Sequence, residues 1–245
     1  GKDYFVALNG RYMRSCFGMT LGLLARYPLP VRTSGPAAGR RLRVPKELWK
    51  LVDHILHSGM DEPDLFVQLA DLSEVEAVRE CLDTGESFAL RDFSIHSIAA
   101  AMIHFLDNLN ESVVPVSAFE RLTSGTITQA ECKAILNQIL DADHYATFYY
   151  VLSFLRELLT HSSKNRLTPE RLAVVFSGVL LRSPSASASP APAPAATGTT
   201  GTDPVREKAD FVIYRFLEKK PPIIPAAGSP IPTTPISASP SPTPK

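Results

Sequence analysis

The chain has 245 residues, with 25 basic and 25 acidic side chains and 44% hydrophobic content. That is enough apolar material for one medium-sized core plus extensions, and it lacks the basic excess that a nucleic-acid-binding face requires. No apolar run approaches the roughly 20 residues that span a bilayer, no secretory signal opens the chain, and the final Pro-Thr-Pro-Lys is not a prenylation box.

The first segment reads as β-structure. Asp3-Tyr4-Phe5-Val6-Ala7-Leu8 is rich in strand formers, Asn9-Gly10 is a tight-turn signal, and Arg11-Tyr12-Met13 follows. A lone hairpin is marginal in water, so residues 1–27 are expected to be the end of a β-domain. The chain starts in strand-like sequence without an initiator methionine, and is read as a piece of something longer. Residues 28–43, with three prolines, two glycines and four arginines, are expected to be a linker.

From residue 44 the pattern becomes helical. Pro45 suits a first turn; Leu48, Leu51, Val52, Ile55 and Leu56 make one apolar stripe, and Gly59 is a stop signal. Further helices are expected over 71–82, from Ser94 to Leu106, from Thr128 to Leu140, over 142–160, and from Thr168 to Leu181. Thr128 with Glu131 forms a capping-box pattern. Thr168-Pro169-Glu170 reads as N-cap, proline at the first position and acid in the first turn. Residues 183–204 contain nothing larger than proline, threonine or aspartate and are expected to be a disordered insert. A last helix opens at Asp203-Pro204 and carries Val205, Ala209, Val212, Ile213, Phe216 and Leu217 at helical spacing. Residues 221–245 hold nine prolines in 25 positions and read as a disordered, partly polyproline-II tail. The helical domain is therefore expected over 44–220, and the class is all-α with a β-fragment in front.

The search for chemistry finds little. His54 and His57 are three apart on one helix, but no Cys or carboxylate constellation and no HExxH accompanies them. There is no phosphate loop, no GxGxxG and no GxSxG. Asp141 and Asp143 stand at a helix start, where capping explains them better than acid–base work. Cys16, Cys81 and Cys132 are widely separated without a CxxC spacing, which points to a reducing compartment and core thiols. Trp49, the only tryptophan, falls at the edge of its helix's apolar stripe, and is either core or a partly exposed anchor for a partner. No cofactor or metal is expected.

A resemblance sharpens this. Val44-Pro45-Lys46-Glu47-Leu48-Trp49-Lys50-Leu51-Val52-Asp53-His54 resembles the RhoGAP-like domain of the OCRL-type inositol polyphosphate 5-phosphatases. So do Gly1-Lys2-Asp3-Tyr4-Phe5, Ser15-Cys16-Phe17-Gly18, Asp64-Leu65-Phe66, Cys81-Leu82-Asp83-Thr84-Gly85, Phe154-Leu155-Arg156-Glu157-Leu158-Leu159 and Val179-Leu180-Leu181-Arg182, in the family's order. The resemblance implies an all-α RhoGAP-like domain behind the last strands of an ASH (immunoglobulin-like) domain. It also implies a parent phosphoinositide 5-phosphatase whose catalytic domain lies outside this sequence.

The resemblance further implies that GTPase activation is lost. Active RhoGAPs place an arginine finger after a Gly-Ile-Phe-like run, and such fingers are worth roughly 10³–10⁵ in rate. Here Val67 and then Gln68 follow Asp64-Leu65-Phe66. The supporting lysine position falls near Ile103, and the supporting asparagine position, before Leu172-Ala173-Val174-Val175-Phe176, is Arg171. An active GAP would have to draw an arginine from elsewhere, such as Arg79 or Arg91. The family's RhoGAP-like domains bind F&H-motif peptides of endocytic adaptors in a groove lined by the tryptophan that Trp49 matches. The ASH domain binds Rab GTPases, and Phe5 matches a phenylalanine implicated there; its plain reading is an inward strand residue. Weak Rho-family binding without hydrolysis is also a family property, as is recruitment to early endosomes and Golgi membranes. A scaffold without a phosphatase domain is the other reading. Where the family has prolines, this chain has Asn110 and Ser112, a change expected to loosen that loop.

Overall fold

A computed structural model describes residues 5–8, 11–14, 16–25, 29–30, 41–84, 90–124, 128–182 and 204–218, with side chains in 16–25, 43–84, 90–124, 128–182 and 206–218. Near the N-terminus β1 (Phe5–Leu8) pairs antiparallel with β2 (Arg11–Arg14). Leu8 faces Arg11, so a two-residue connection closes the hairpin, the length that Asn-Gly favours. Inside the expected linker, β3 (Leu29–Pro30) pairs with β4 (Arg41–Leu42) in a minimal ladder. Most of the linker, the insert after residue 182 and the tail after 218 lie outside the described residues.

Residues 16–25, assigned from the sequence to the β-portion, pack into the helical core. The short helix α1 (Leu21–Leu24) buries Leu21 and Leu24, and Cys16 and Phe17 join them. Phe17 meets Phe105 edge-on with centroids 5.6 Å apart. The Gly18 N–H donates to the Asn108 carbonyl at 2.7 Å, from a positive φ of 78° that glycine adopts without strain. No disulfide joins the three cysteines, and burial pushes the Cys16 and Cys132 thiols up, which keeps both protonated.

The helices follow their start signals. The second helix, α2 (Lys46–Ser58), begins after Pro45 and ends at Gly59. It is followed by α3 (Leu72–Thr84) and by α4 (Ile95–Asp107), whose N-cap Ser94 accepts from the His96 N–H at 3.3 Å. Next come α5 (Val116–Thr123) and α6 (Gln129–Ile139), the latter with a complete capping box between Thr128 and Glu131. In α7 (Ala142–Thr160), Asp141 accepts from the Asp143 and His144 N–H groups, which is the capping role expected of it. One turn, α8 (Ser162–Asn165), leads to α9 (Pro169–Leu180), capped by Thr168, and α10 (Pro204–Leu217) closes the order.

The core sits where α4, α7, α9 and α10 meet, around fully buried Met102, Phe105, Phe148, Phe176 and Phe216. α9 touches α4, α7 and α10. The last of these contacts is reinforced by the Ser177 hydroxyl donating to the Asp210 carboxylate. Thus α10 belongs to the domain although 21 residues separate Arg182 from Pro204.

The loop carrying Asn110 and Ser112 is tied down, contrary to the loosening expected from its missing prolines. The Ser112 hydroxyl donates to the Leu180 carbonyl at 2.9 Å, and the Val114 N–H donates to the same oxygen at 2.9 Å. The Arg182 guanidinium donates to the carbonyls of Leu109, at 2.9 Å, and Leu106, at 3.0 Å. Hydrogen bonds to the loop's backbone replace the conformational restriction that proline would supply.

Candidate functional site

The segment between α2 and α3 is built as a rigid tip. Leu65 is fully buried, and Phe66 packs edge-on against Phe176 at 5.1 Å and Phe154 at 6.2 Å. Asp64 and Phe66 both have left-handed backbone, with φ of 56° and 69°. A phenylalanine holds that conformation only where its surroundings enforce it. Here the two aromatic contacts and three hydrogen bonds do so: the Asp64 N–H donates to the Asn165 carbonyl at 2.9 Å, and the Val67 and Gln68 N–H groups both donate to the Asp64 carbonyl at 3.0 Å. The result presents residue 67 outward.

Val67 is 44% exposed at this tip. It has no charge and no donor. Leu69, at 95%, and Leu72, at 76%, continue an apolar surface beyond it.

Arg171, in the first turn of α9, does reach the loop, but from beneath. Its Nη1 pairs with Asp64 Oδ1 at 2.6 Å and donates to the Arg166 carbonyl at 2.9 Å. The guanidinium is therefore committed to holding the loop. Three more polar contacts help to hold it. His161 Nδ1 and Lys164 Nζ each lie 2.6 Å from an oxygen of Asp61, and His96 Nε2 lies 3.1 Å from Glu62. Lys164 and His161 hold the Asp61 carboxyl below its ordinary range.

Ile103 lies on α4, half-buried and packed against the core. Of the two arginines that the active-GAP alternative would call on, Arg79 lies over the Phe17 ring at 5.0 Å and pairs with Glu76 at 3.4 Å. Arg91 is exposed in the 3₁₀ turn Leu90–Asp92. The structure thus links the Val67 loop and Arg171 through Asp64, and engages Arg79 with Phe17 and Glu76.

Trp49 is half-buried on α2. One turn on stands Asp53. The half-buried Tyr150 of α7 has its hydroxyl pushed up by burial and then by the Asp53 carboxylate. Asp53 thus lies near Tyr150, one helical turn on from Trp49. His57 turns its Nδ1 to the Asp53 carbonyl at 2.7 Å. No group of three or more His, Cys, Asp or Glu that would hold a metal occurs among the described residues. Phe5 lies in β1 opposite Arg14, and its side chain is outside the described residues.

The residue that sequence reasoning missed is Asn165. It is fully buried; its Nδ2 donates to the Met60 carbonyl at 2.9 Å and the Leu158 carbonyl at 2.8 Å, while its Oδ1 accepts from the Leu167 N–H at 3.0 Å. It joins the ends of α2 and α7 to the approach to α9. A polar residue in a short turn gives no sequence signal of such a role.

The RhoGAP domain family model matches residues 45–185. The type II inositol 1,4,5-trisphosphate 5-phosphatase of Mus musculus is 36% identical over 203 residues, covering 76% of this chain and 20% of that protein. Rho GTPase-activating protein 25 of Homo sapiens is 32% identical over 148 residues, covering 57% of this chain and 23% of that protein. The chain thus spans about a fifth of the length of these relatives. Among solved structures, human Rho GTPase activating protein 15 aligns with a TM-score of 0.64 at 19% identity, over 83% of this chain and 89% of that one. The BH domain of GRAF, the GTPase regulator associated with focal adhesion kinase, aligns at 0.58 and 17% identity, over 70% and 89%. At those identities the structural likeness establishes the fold.

Proposed function

Because the chain belongs to the RhoGAP domain family, we propose that it keeps the family's GTPase-facing scaffold as a docking module and has lost the chemistry of GTP hydrolysis. The observation that carries this reading is the tip loop. Its backbone is anchored by Leu65, Phe66 and Asn165 as firmly as a catalytic loop needs, yet the side chain it presents is Val67. A finger acts by placing a guanidinium against the charge that develops on the transferred phosphoryl group, and an isopropyl group contributes nothing there. Arg171 offers no replacement, since its guanidinium is spent on Asp64, and Ile103 has no charge. Binding of Rho-family GTPases without acceleration of hydrolysis is what remains of the ancestral activity.

The similarity to a type II inositol 5-phosphatase supports a second element of the reading. The module belongs to a phosphoinositide 5-phosphatase and directs it to early endosomes and Golgi membranes through partners. Trp49, half-buried on α2, supplies an aromatic anchor suited to an amphipathic helical F&H-motif peptide from an adaptor. Phe5, in the hairpin that we assign to the end of an ASH domain, contributes to a Rab contact.

Fluorescence anisotropy with an F&H peptide tests the docking role. Micromolar binding is expected, weakened at least tenfold in Trp49→Ala, about 1.4 kcal/mol, with the helical circular-dichroism signal retained. Equal affinity of both proteins would remove Trp49 from the account.

A further inference from the structure

Eight large hydrophobic side chains are exposed among the described residues, and three of them, Val67, Leu69 and Leu72, fall together at the tip between α2 and α3. Leu69 and Leu72 are the two most exposed of the eight. A hydrophobic side chain exposed singly is ordinary on a protein surface; a cluster on fixed backbone is not explained that way. Ahead of Leu69 the Gln68 N–H donates to the Asp64 carbonyl at 3.0 Å, and behind it the Asp71 carbonyl accepts the Val75 N–H at 3.0 Å. Leu72 opens α3. A partner that covers these side chains gains apolar contact without first having to order the backbone that carries them.

Charge decides what covers them. Asp61 is met by Lys164 and His161, Asp64 by Arg171 and Arg166, and Glu62 by His96, so these carboxylates are engaged from the body of the domain. The side that carries the leucines is different. From Asp71 to Glu80 the sequence has four carboxylates, Asp71, Glu74, Glu76 and Glu80, and one cation, Arg79. Arg79 pairs with Glu76 at 3.4 Å and lies over the Phe17 ring. Asp71 accepts from neutral donors, the Ser73 hydroxyl at 2.6 Å and the Ser73 N–H at 2.8 Å, which hold its carboxyl below the ordinary range and keep it charged. Glu74 accepts the Ser94 N–H at 3.1 Å. Leu72, Glu76 and Glu80 follow one another at intervals of four, so they share one face of α3, and Glu76 and Glu80 are exposed on it.

Such a rim repels the two anionic surfaces that an exposed leucine tip can otherwise enter, nucleotide phosphate and an anionic membrane. It attracts a cationic one. We propose that Leu69 and Leu72, with Val67 beside them, dock a basic amphipathic segment of a partner protein. The partner's apolar side chains cover the leucines, and its lysines or arginines meet Asp71, Glu76 and Glu80. The inference rests on the reading of this tip as a docking surface and supplies the chemistry of what docks there. Apolar burial provides most of the affinity. The exposed carboxylates add little each; they speed encounter, fix orientation and make binding weaken with salt.

The test is fluorescence anisotropy of a labelled helical peptide with a leucine face and a lysine face, titrated with the full 245-residue chain at low and high salt. Binding is expected that weakens at least tenfold in Leu69→Ser/Leu72→Ser, weakens several-fold in Asp71→Asn/Glu76→Gln/Glu80→Gln, and falls with added salt. Trp49→Ala should leave it unchanged. The substituted residues at the tip are all exposed, and an unchanged far-ultraviolet circular-dichroism signal keeps loss of fold from imitating the result. The same peptide with glutamate in place of lysine should bind at least tenfold more weakly, and phosphatidylcholine vesicles containing phosphatidylserine should not retain the chain. No binding of the lysine peptide, equal binding by the leucine double variant, equal binding of the glutamate peptide, or vesicle retention that the leucine double variant abolishes would each overturn the proposal. No GTPase is present in the assay, so its failure is separate from a failure to bind Rho-family GTPases, which is measured on its own.

Discussion

The side chain of Asn165, itself fully buried, satisfies three backbone groups: the carbonyls of Met60 and Leu158 and the N–H of Leu167. An unsatisfied buried backbone group costs about 1–3 kcal/mol, so Asn165→Ala is expected to destabilise the fold by about 3 kcal/mol, measured by urea unfolding. A loss below about 1 kcal/mol would mean that the loop is held by its ion pairs instead. Glu47 makes the opposite kind of prediction. It is buried, its Oε2 has no hydrogen-bond partner, and its ion-pair partner is Lys46 at 3.6 Å, half-exposed, with Lys50 as a further counter-charge. Burial holds its carboxyl above the ordinary 4.5. The folded chain thus keeps that proton more tightly than the unfolded chain. Ionisation therefore opposes folding, and the penalty grows as the pH rises from the unfolded value through the folded one. Glu47→Gln should raise the melting temperature at neutral pH, with the gain vanishing below about pH 4.5; a lower melting temperature at neutral pH would contradict this. Neither residue declares itself in the sequence. Helical spacing places Glu47 in a first turn, where an acid is ordinary, and its burial is tertiary in origin, with Cys16 near enough to feel its charge.

At the scale of elements, α10 shows how far packing overrides distance along the chain. It follows the insert, yet Phe216 is fully buried against Phe148 and Tyr149, with ring centroids at 5.5 Å and 6.3 Å. Phe216→Ala is expected to cost about 3–5 kcal/mol by chemical denaturation. A loss under about 1 kcal/mol would mean that α10 is an appendage rather than part of the core. Four of the helices legible in the sequence carry a side-chain acceptor at the cap: Ser94, Thr128, Asp141 and Thr168 each accept a backbone N–H at the expected place, whereas α2, whose N-cap Pro45 makes no side-chain bond, is legible from its apolar stripe. α5 was not anticipated. It has eight residues, its N-cap is Pro115 without a side-chain bond, and its apolar positions Ala118, Phe119 and Leu122 fill barely two turns. α1 was hidden for a related reason: four residues give no periodicity to read, and they pack against α7, far along the chain. The left-handed conformations of Asp64 and Phe66 are tertiary in origin, enforced by Phe154, Phe176 and Asn165, all about 90 to 110 residues away in the sequence.

For the molecule as a whole, the sequence carried the all-α class and the family, because each rests on local patterns or on residue identity. It did not carry the redirection of Arg171, which depends on two loops meeting. The proposed function follows at this scale: a RhoGAP fold that docks a GTPase without a finger arginine at position 67. Single-turnover GTP hydrolysis by Rho-family GTPases, measured by phosphate release with saturating chain, tests this most directly. The account predicts release at the intrinsic rate, within about threefold, while a GTPase complex forms. An acceleration on the order of 10³ or more, the range of a working arginine finger, would contradict it and would require an arginine such as Arg79 or Arg91 to move into the site.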